Sequence, residues 1–149
     1  SLVLARLKAK SISLEKKKII VVGSDTVISF EGTILSKAKN FFEAKKIIKK
    51  ICGKKHNIYS SASAFYDNKE IWNFTQKSTV KIRELSNKEI QEYLRDAGKN
   101  ILSSVGCYQA ESLGPNIIQE IKGDFFNVLG FPLFPFLIFL RKYQIKKAK

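Results

Sequence analysis

The sequence predicts an α/β fold: a mixed, twisted sheet that carries one long hairpin and is flanked by helices. Three observations predict it. The continuous β-branched run Ile19-Ile20-Val21-Val22 marks a strand buried on both faces. Two alternating stretches, residues 56–66 and 70–85, flank Asp67-Asn68, a pair suited to a tight hairpin turn. Apolar residues also recur at helical spacing in segments that open on capping residues and close on glycine. With 149 residues, 44% of them hydrophobic and 27% charged, the chain can bury a core of its own and is too apolar to be disordered. No repeat or low-complexity segment divides it, so residues 1–149 are expected to form a single domain.

The elements follow in order. Residues 2–14 place Leu4, Leu7 and Ile12 at helical spacing among Lys and Arg, and read as a helix. Lys16 to Lys18 form a solvated turn. The strand at 19–22 is interrupted by Gly23-Ser24-Asp25 and resumes over 26–30, and Glu31-Gly32 turns it towards Thr33-Ile34-Leu35. Asn40 caps the next helix, with Glu43 at the capping-box position and Phe41, Ala44, Ile47, Ile48 and Ile51 on one buried stripe that ends at Gly53. After the hairpin, Ser86-Asn87-Lys88-Glu89 caps a helix over 88–96 that ends near Gly98. A loop covers 100–115, a short strand 117–121, and a turn at Gly123-Asp124 precedes a buried C-terminal helix.

The formal net charge of +14 admits a nucleic acid, an acidic membrane surface or a small polyphosphate as partner. A base-composition bias, which enriches a chain in Lys, Ile, Asn and Phe, explains it equally well. The basic residues are spread along the chain and lack interleaved stacking aromatics, which argues against a stable nucleic-acid complex. Cys52 and Cys107 have no CxxC spacing and too few partners for a disulfide framework or a zinc site; two thiols in a reducing cytoplasm is the expectation. No signal peptide is expected. The apolar run 125–140 contains Pro132 and Pro135 and falls short of the ~20 residues that span a bilayer, so no membrane partner is expected.

Four features could carry chemistry. Asp25 stands at the end of an apolar strand beside a glycine, where a carboxylate is displayed to ligands and can hold a divalent metal or act as a general base; a simple turn aspartate is the alternative. Lys37, just before a helix N-terminus, suits a phosphate, although most lysines are merely solvated. The stretch Gly106-Cys107-Tyr108-Gln109-Ala110-Glu111-Ser112-Leu113-Gly114 has the composition of a loop that closes over a flat ligand, and Glu111 could accept two hydrogen bonds from a purine edge or hold a metal; an ordinary surface loop is the alternative. His56, the single histidine, reads as structural. The sequence contains no Walker glycine loop, GxGxxG or HExxH, which leaves metal-assisted chemistry run by carboxylates and lysines.

Taken in order, these pieces resemble the Maf, or septum-formation-inhibitor, family of nucleotide pyrophosphatases. The resemblance rests on Leu4-Ala5-Arg6-Leu7-Lys8-Ala9, Gly23-Ser24-Asp25-Thr26-Val27, Leu35-Ser36-Lys37, Cys52-Gly53-Lys54-Lys55-His56, the 106–114 stretch, and Glu120-Ile121-Lys122-Gly123-Asp124 with Val128, Gly130, Pro132 and Leu133. It implies a Maf/ITPase-like fold and hydrolysis of the α–β phosphate bond of a nucleoside triphosphate, with Mg²⁺ or Mn²⁺. Asp25 would be the catalytic carboxylate or metal ligand, and Lys8 and Lys37 would neutralise phosphates. Glu111 would help choose the base, since its run Gln109-Ala110-Glu111-Ser112 is closer to the branch acting on 7-methyl-GTP than to the pyrimidine branch. A homodimer is implied by resemblance alone.

The sequence departs from the family pattern at Ala38, where proline is usual, and at Ser112, where glycine is usual. The family also begins with a strand and a Ser-x-Ser-x-Arg-Arg loop, whereas this chain opens at the helix holding Lys8. The expectation is therefore an N-terminally incomplete Maf-like domain with weak activity or none by itself, and a gain in pyrophosphate release when such a segment is restored. A basic nucleic-acid-binding module and an inactive family member are the competing readings.

Overall fold

The computed structural model describes residues 1–147. The elements run α1 (Leu2–Ser13), β1 (Ile20–Phe30), β2 (Thr33–Leu35), α2 (Phe41–Ile51), β3 (Lys55–Tyr66), β4 (Lys69–Ile82), α3 (Asn87–Ala97), β5 (Ile118–Lys122), α4 (Phe125–Leu129) and α5 (Leu133–Lys147). The strands form one five-stranded sheet in the order β2-β1-β3-β4-β5, flanked by helices. The sheet is antiparallel, and its β1–β2 and β3–β4 pairings are each closed by a two-residue turn that reverses the chain. Both turns use left-handed backbone: Glu31 and Gly32 at φ 48° and 78°, Asp67 and Asn68 at φ 46° and 65°, which matches the twist of the strands they join. Ile28 faces Leu35 across the first hairpin. β4 pairs with β5 from Thr79–Lys122 to Ile82–Ile118, with an irregularity after Lys81.

Two expectations about β1 are corrected. The strand is continuous through Gly23-Ser24-Asp25, so the glycine is not a break. Nor is its start fully buried on both faces: Val21 is buried while Ile20 and Val22, on the opposite face, are half-buried. Gly23 is in the strand because α1 crosses it. A Cβ there would overlap the Ala5 carbonyl oxygen and lie 2.6 Å from the Ala9 nitrogen.

The chain divides into two compact units. One comprises Ser1–Thr26, Tyr59–Gln76 and the segment from Gly130 onward; the other comprises Val27–Ile58 and Lys77–Leu129. In the first, α1 turns Ala5, Ala9 and Ser13 inward, and Ala9 packs with Val21 and Phe65. Leu4, Leu7 and Ile12, the apolar residues that mark this helix in the sequence, are exposed. Asp67 accepts a hydrogen bond from the Lys18 backbone N–H at 2.7 Å, and Ser13 Oγ accepts one from the Asn68 N–H at 3.0 Å. Arg6 Nε donates to Glu70 Oε1 at 2.8 Å. The C-terminal helix is not buried as expected. α5 stacks Phe139 on Trp72 at 5.3 Å between ring centres, but Phe134 and Ile138 remain exposed, because a helix apolar on every side cannot bury every side against one partner. No helix among the described residues is long and apolar enough to cross a membrane.

The second unit has the larger core, built around Phe30, Ile48, Ile51, Ile58, Val80, Ile82, Ile90 and Ile101. α2 starts where the Asn40 side chain accepts the Glu43 N–H at 2.9 Å, and it buries Ala44, Ile48 and Ile51. α3 starts at a full capping box between Ser86 and Glu89. The Ser86 backbone N–H first, then the Arg83 guanidinium, hold the Glu89 carboxyl down to about 2. The expected 100–115 loop contains three short 3₁₀ turns, Gly98–Ser103, Val105–Cys107 and Gly114–Asn116.

Candidate active site

The alternation of a β-strand puts Val21, Gly23 and Asp25 on one face of β1. α1 lies on that face, held close by its own alanines and by the missing Cβ of Gly23. Lys8, in the turn between Ala5 and Ala9, then reaches along the strand. Its Nζ donates to Asp25 Oδ1 at 2.9 Å and to the Ser24 carbonyl at 3.0 Å. The Asp25 side chain is only 13% exposed while that of Lys8 is 56% exposed, so the carboxylate is fixed and shielded, and the ammonium keeps a free side towards water.

The second carboxylate oxygen, Asp25 Oδ2, is buried without a hydrogen-bond partner. An unsatisfied buried acceptor costs about 1–3 kcal/mol. An oxygen held in this way keeps its lone pairs unused, and a proton or a cation that reached it would satisfy them. Among the described residues no group of three or more His, Cys, Asp and Glu side chains could hold a metal ion. A cation at Asp25 would therefore take one protein carboxylate and fill its remaining positions with water and substrate oxygens, a pattern normal for Mg²⁺. Next along the strand, Thr26 shares a 2.9 Å hydrogen bond with Ser60 Oγ and donates to the Gly130 carbonyl at 3.3 Å, tying β1 to β3 and to the start of the C-terminal segment. The sequence marks Thr26 only as a member of the Gly23-Ser24-Asp25-Thr26-Val27 run and gives no sign of these bonds.

Lys37 and Glu111 belong to the second unit. Lys37 is exposed after β2 and lines a hollow of about 340 Å³ with Ser36, Glu43, Lys46 and Lys50. Three lysines against one glutamate give that hollow a positive character. Glu111 is exposed on the turn between Tyr108 and Gly114. The turn closes on the Gln109 carbonyl, which accepts from the Gly114 N–H at 2.8 Å and the Ser112 N–H at 3.1 Å; a Cβ on Gly114 would overlap that same oxygen. Of the four residues expected at the site, the structure thus joins Lys8 to Asp25 directly and puts Lys37 and Glu111 each in its own setting.

Beneath the 106–114 loop lies a polar network the sequence did not reveal. His56 and Tyr108 are buried and share a 2.6 Å hydrogen bond through His56 Nε2. The Tyr93 hydroxyl donates to the Cys107 carbonyl at 3.2 Å. Burial pushes His56 down to about 4 and Cys107 up to about 11, and raises both tyrosines. In the sequence, Tyr93 and Tyr108 differ in no way from core aromatics. Only the placement of their hydroxyls makes them distinct.

The Maf-like protein family matches residues 1–143 of this chain. The 7-methyl-GTP pyrophosphatase of Bartonella henselae is 36% identical over 142 residues, which cover 95% of this chain and 72% of that protein. The protein of the same name from Bartonella quintana is 37% identical over 142 residues, with the same coverage of 95% and 72%. A nucleoside triphosphate pyrophosphatase of Nitrobacter hamburgensis is 32% identical over 138 residues, covering 93% of this chain and 68% of that protein.

Proposed function

The chain belongs to the Maf-like protein family, and on that premise we propose that it is a nucleoside triphosphate pyrophosphatase that cuts the α–β phosphate bond. The observation that carries this reading is the Lys8–Asp25 pair, with one carboxylate oxygen bonded and the other buried without a partner. Lys8 orients the carboxylate through Oδ1. Oδ2 is then free to take a proton from the attacking water. As that proton leaves, the water oxygen bonds to the α-phosphorus, the bond from phosphorus to the α–β bridging oxygen breaks, and pyrophosphate departs with that electron pair. The products are the nucleoside monophosphate and pyrophosphate. Negative charge grows on the phosphate oxygens during this step. Lys8, exposed at its tip, and Lys37 are the cations assigned to offset it.

A divalent metal fits Asp25 Oδ2 as well, by the chemistry of a shielded lone carboxylate oxygen. When bound, Mg²⁺ or Mn²⁺ would neutralise phosphate charge and lower the pKa of a coordinated water. For the base, 7-methylguanine is the preferred reading. Glu111 offers a carboxylate to the donor edge of a guanine, and two similar proteins bear the 7-methyl-GTP name. The cytoplasm is the proposed compartment, since Cys52 and Cys107 are both free thiols.

The test is pyrophosphate release from a panel of nucleoside triphosphates with Mg²⁺, comparing the parent chain with Asp25→Asn. The amide keeps the shape but cannot accept the proton, so the rate should fall about 10²–10⁴-fold. Equal rates for the two would remove Asp25 from the chemistry and take this mechanism with it.

A further inference from the structure

The pair His56–Tyr108 is not used by the chemistry above, and its geometry asks for an explanation. His56 is 2% exposed and Tyr108 5% exposed. They share a single 2.6 Å hydrogen bond, and the other imidazole nitrogen, Nδ1, is buried without a partner. A pair kept for packing alone would be better replaced by apolar side chains, since each buried polar atom left unpaired is costly. What such a bond supplies is orientation.

The object being oriented is the loop that follows. Gly106 and Cys107 are both in the left-handed region, at φ 79° and 59°. For Cys107 that conformation is disfavoured and persists only where its surroundings enforce it. A Cβ on Gly106 would lie 2.8 Å from Ile28 Cδ1, so the chain is pressed against β1 at this point. It then turns sharply so that the Tyr108 ring enters the core, while Glu111 and Ser112 further on stand exposed. Three ties hold the loop: Tyr108 to His56 on β3, the Tyr93 hydroxyl to the Cys107 carbonyl, and the Gly114 N–H to the Gln109 carbonyl. Glu111 sits on the turn closed by the last of these.

We propose that His56 and Tyr108 are a positioning pair for nucleobase selection: their hydrogen bond sets the angle at which the 109–114 turn leaves the core, and so where Glu111 stands. This rests on the pyrophosphatase reading for its functional half. Burial keeps both groups neutral, with the imidazole down near 4 and the phenol raised. The tie therefore does not change across the neutral pH range, and it acts as a fixed brace and not as a switch.

Tyr108→Phe removes one oxygen and keeps the ring. Two measurements decide the matter. In amide hydrogen exchange, residues 106–114 should exchange about tenfold faster than in the parent, with α2 and α3 unchanged. In steady-state kinetics, the ratio of kcat/KM for 7-methyl-GTP over dTTP should fall about tenfold, through KM, with kcat near the parent value. His56→Leu should match Tyr108→Phe, and the double variant should be no worse than either, because all three break the same bond. His56→Gln, which keeps polar atoms on the side chain, should recover part of the selectivity. Unchanged loop exchange in both Tyr108→Phe and His56→Leu, or a lowered melting temperature with unchanged selectivity, overturns the proposal. If neither the parent nor a form carrying an added N-terminal strand and Ser-x-Ser-x-Arg-Arg loop releases pyrophosphate from any nucleotide, the pyrophosphatase reading fails; the exchange measurement still decides whether the pair holds the loop.

Discussion

Helices α1 and α2 are close in length and opposite in design. α2 buries Ala44, Ile48 and Ile51 beneath a lysine-rich outer face, as an amphipathic helix should. α1 buries Ala5, Ala9 and Ser13 and leaves Leu4, Leu7 and Ile12 in solvent. The difference lies in what each helix is for. α2 contributes apolar area to a large core. α1 contributes proximity: its small residues let the backbone approach Gly23 closely enough for Lys8 to grasp Asp25. The first unit gives up burial to place a charge, and the second spends its apolar residues on holding loops in position.

Gly23→Val strikes this comparison hardest. Any Cβ at 23 meets backbone atoms of α1, and backbone cannot move aside as a flexible side chain can. The helix must lift, which should cost about 3 kcal/mol or more in chemical denaturation. Lys8 should lose Asp25 at the same time, so activity should fall even well below the melting temperature. A variant with parental stability and activity would show that close approach of α1 is not what the site depends on.

A second, slightly smaller effect belongs to the other unit. The His56 imidazole is held down from 6.5 to about 4 by burial. Between those values the unfolded chain binds a proton that the folded chain does not. Stability contributed by the neutral imidazole is therefore complete above pH 6.5 and is lost as pH falls towards 4, on the order of 3 kcal/mol across that window. Denaturation midpoints measured from pH 7 down to 4 should show the slope, and His56→Leu should flatten it. Parallel curves for the two proteins would mean that His56 reaches solvent more readily than its burial implies.

Much of this architecture was visible in the residues, and the failures share a cause. The caps at Asn40 and Ser86 and the turns at Glu31-Gly32 and Asp67-Asn68 were readable because each is a local contract among neighbours in sequence. The approach of α1 to β1 is not local. Gly23 looks like a strand break until a helix is placed over it, and the helical spacing of Leu4, Leu7 and Ile12 does not reveal that Ala5 and Ala9 occupy the inner face. Asp25 stood out by its place on the strand and Lys8 by resemblance, and the structure brings the two into hydrogen-bond contact, whereas the buried unpartnered oxygen of Asp25 could only be found in three dimensions. His56 was read as structural, and it is buried; its bond to Tyr108, 52 positions away, had no sequence signature.

The smallest predicted effect sharpens the contrast between the helices. Leu7 is 58% exposed on α1, so Leu7→Gln removes little buried area, and glutamine is nearly as good a helix former as leucine. The change should move stability by less than about 0.5 kcal/mol and leave the Lys8–Asp25 contact in place, because the two side chains before and after it that touch β1 are alanines. An amphipathic helix in the manner of α2 would respond differently, since a polar amide at a core position is both unpaired and poorly packed. A loss of 2 kcal/mol or so from Leu7→Gln would show that the outer face of α1 is covered in solution, and that its leucines serve burial after all.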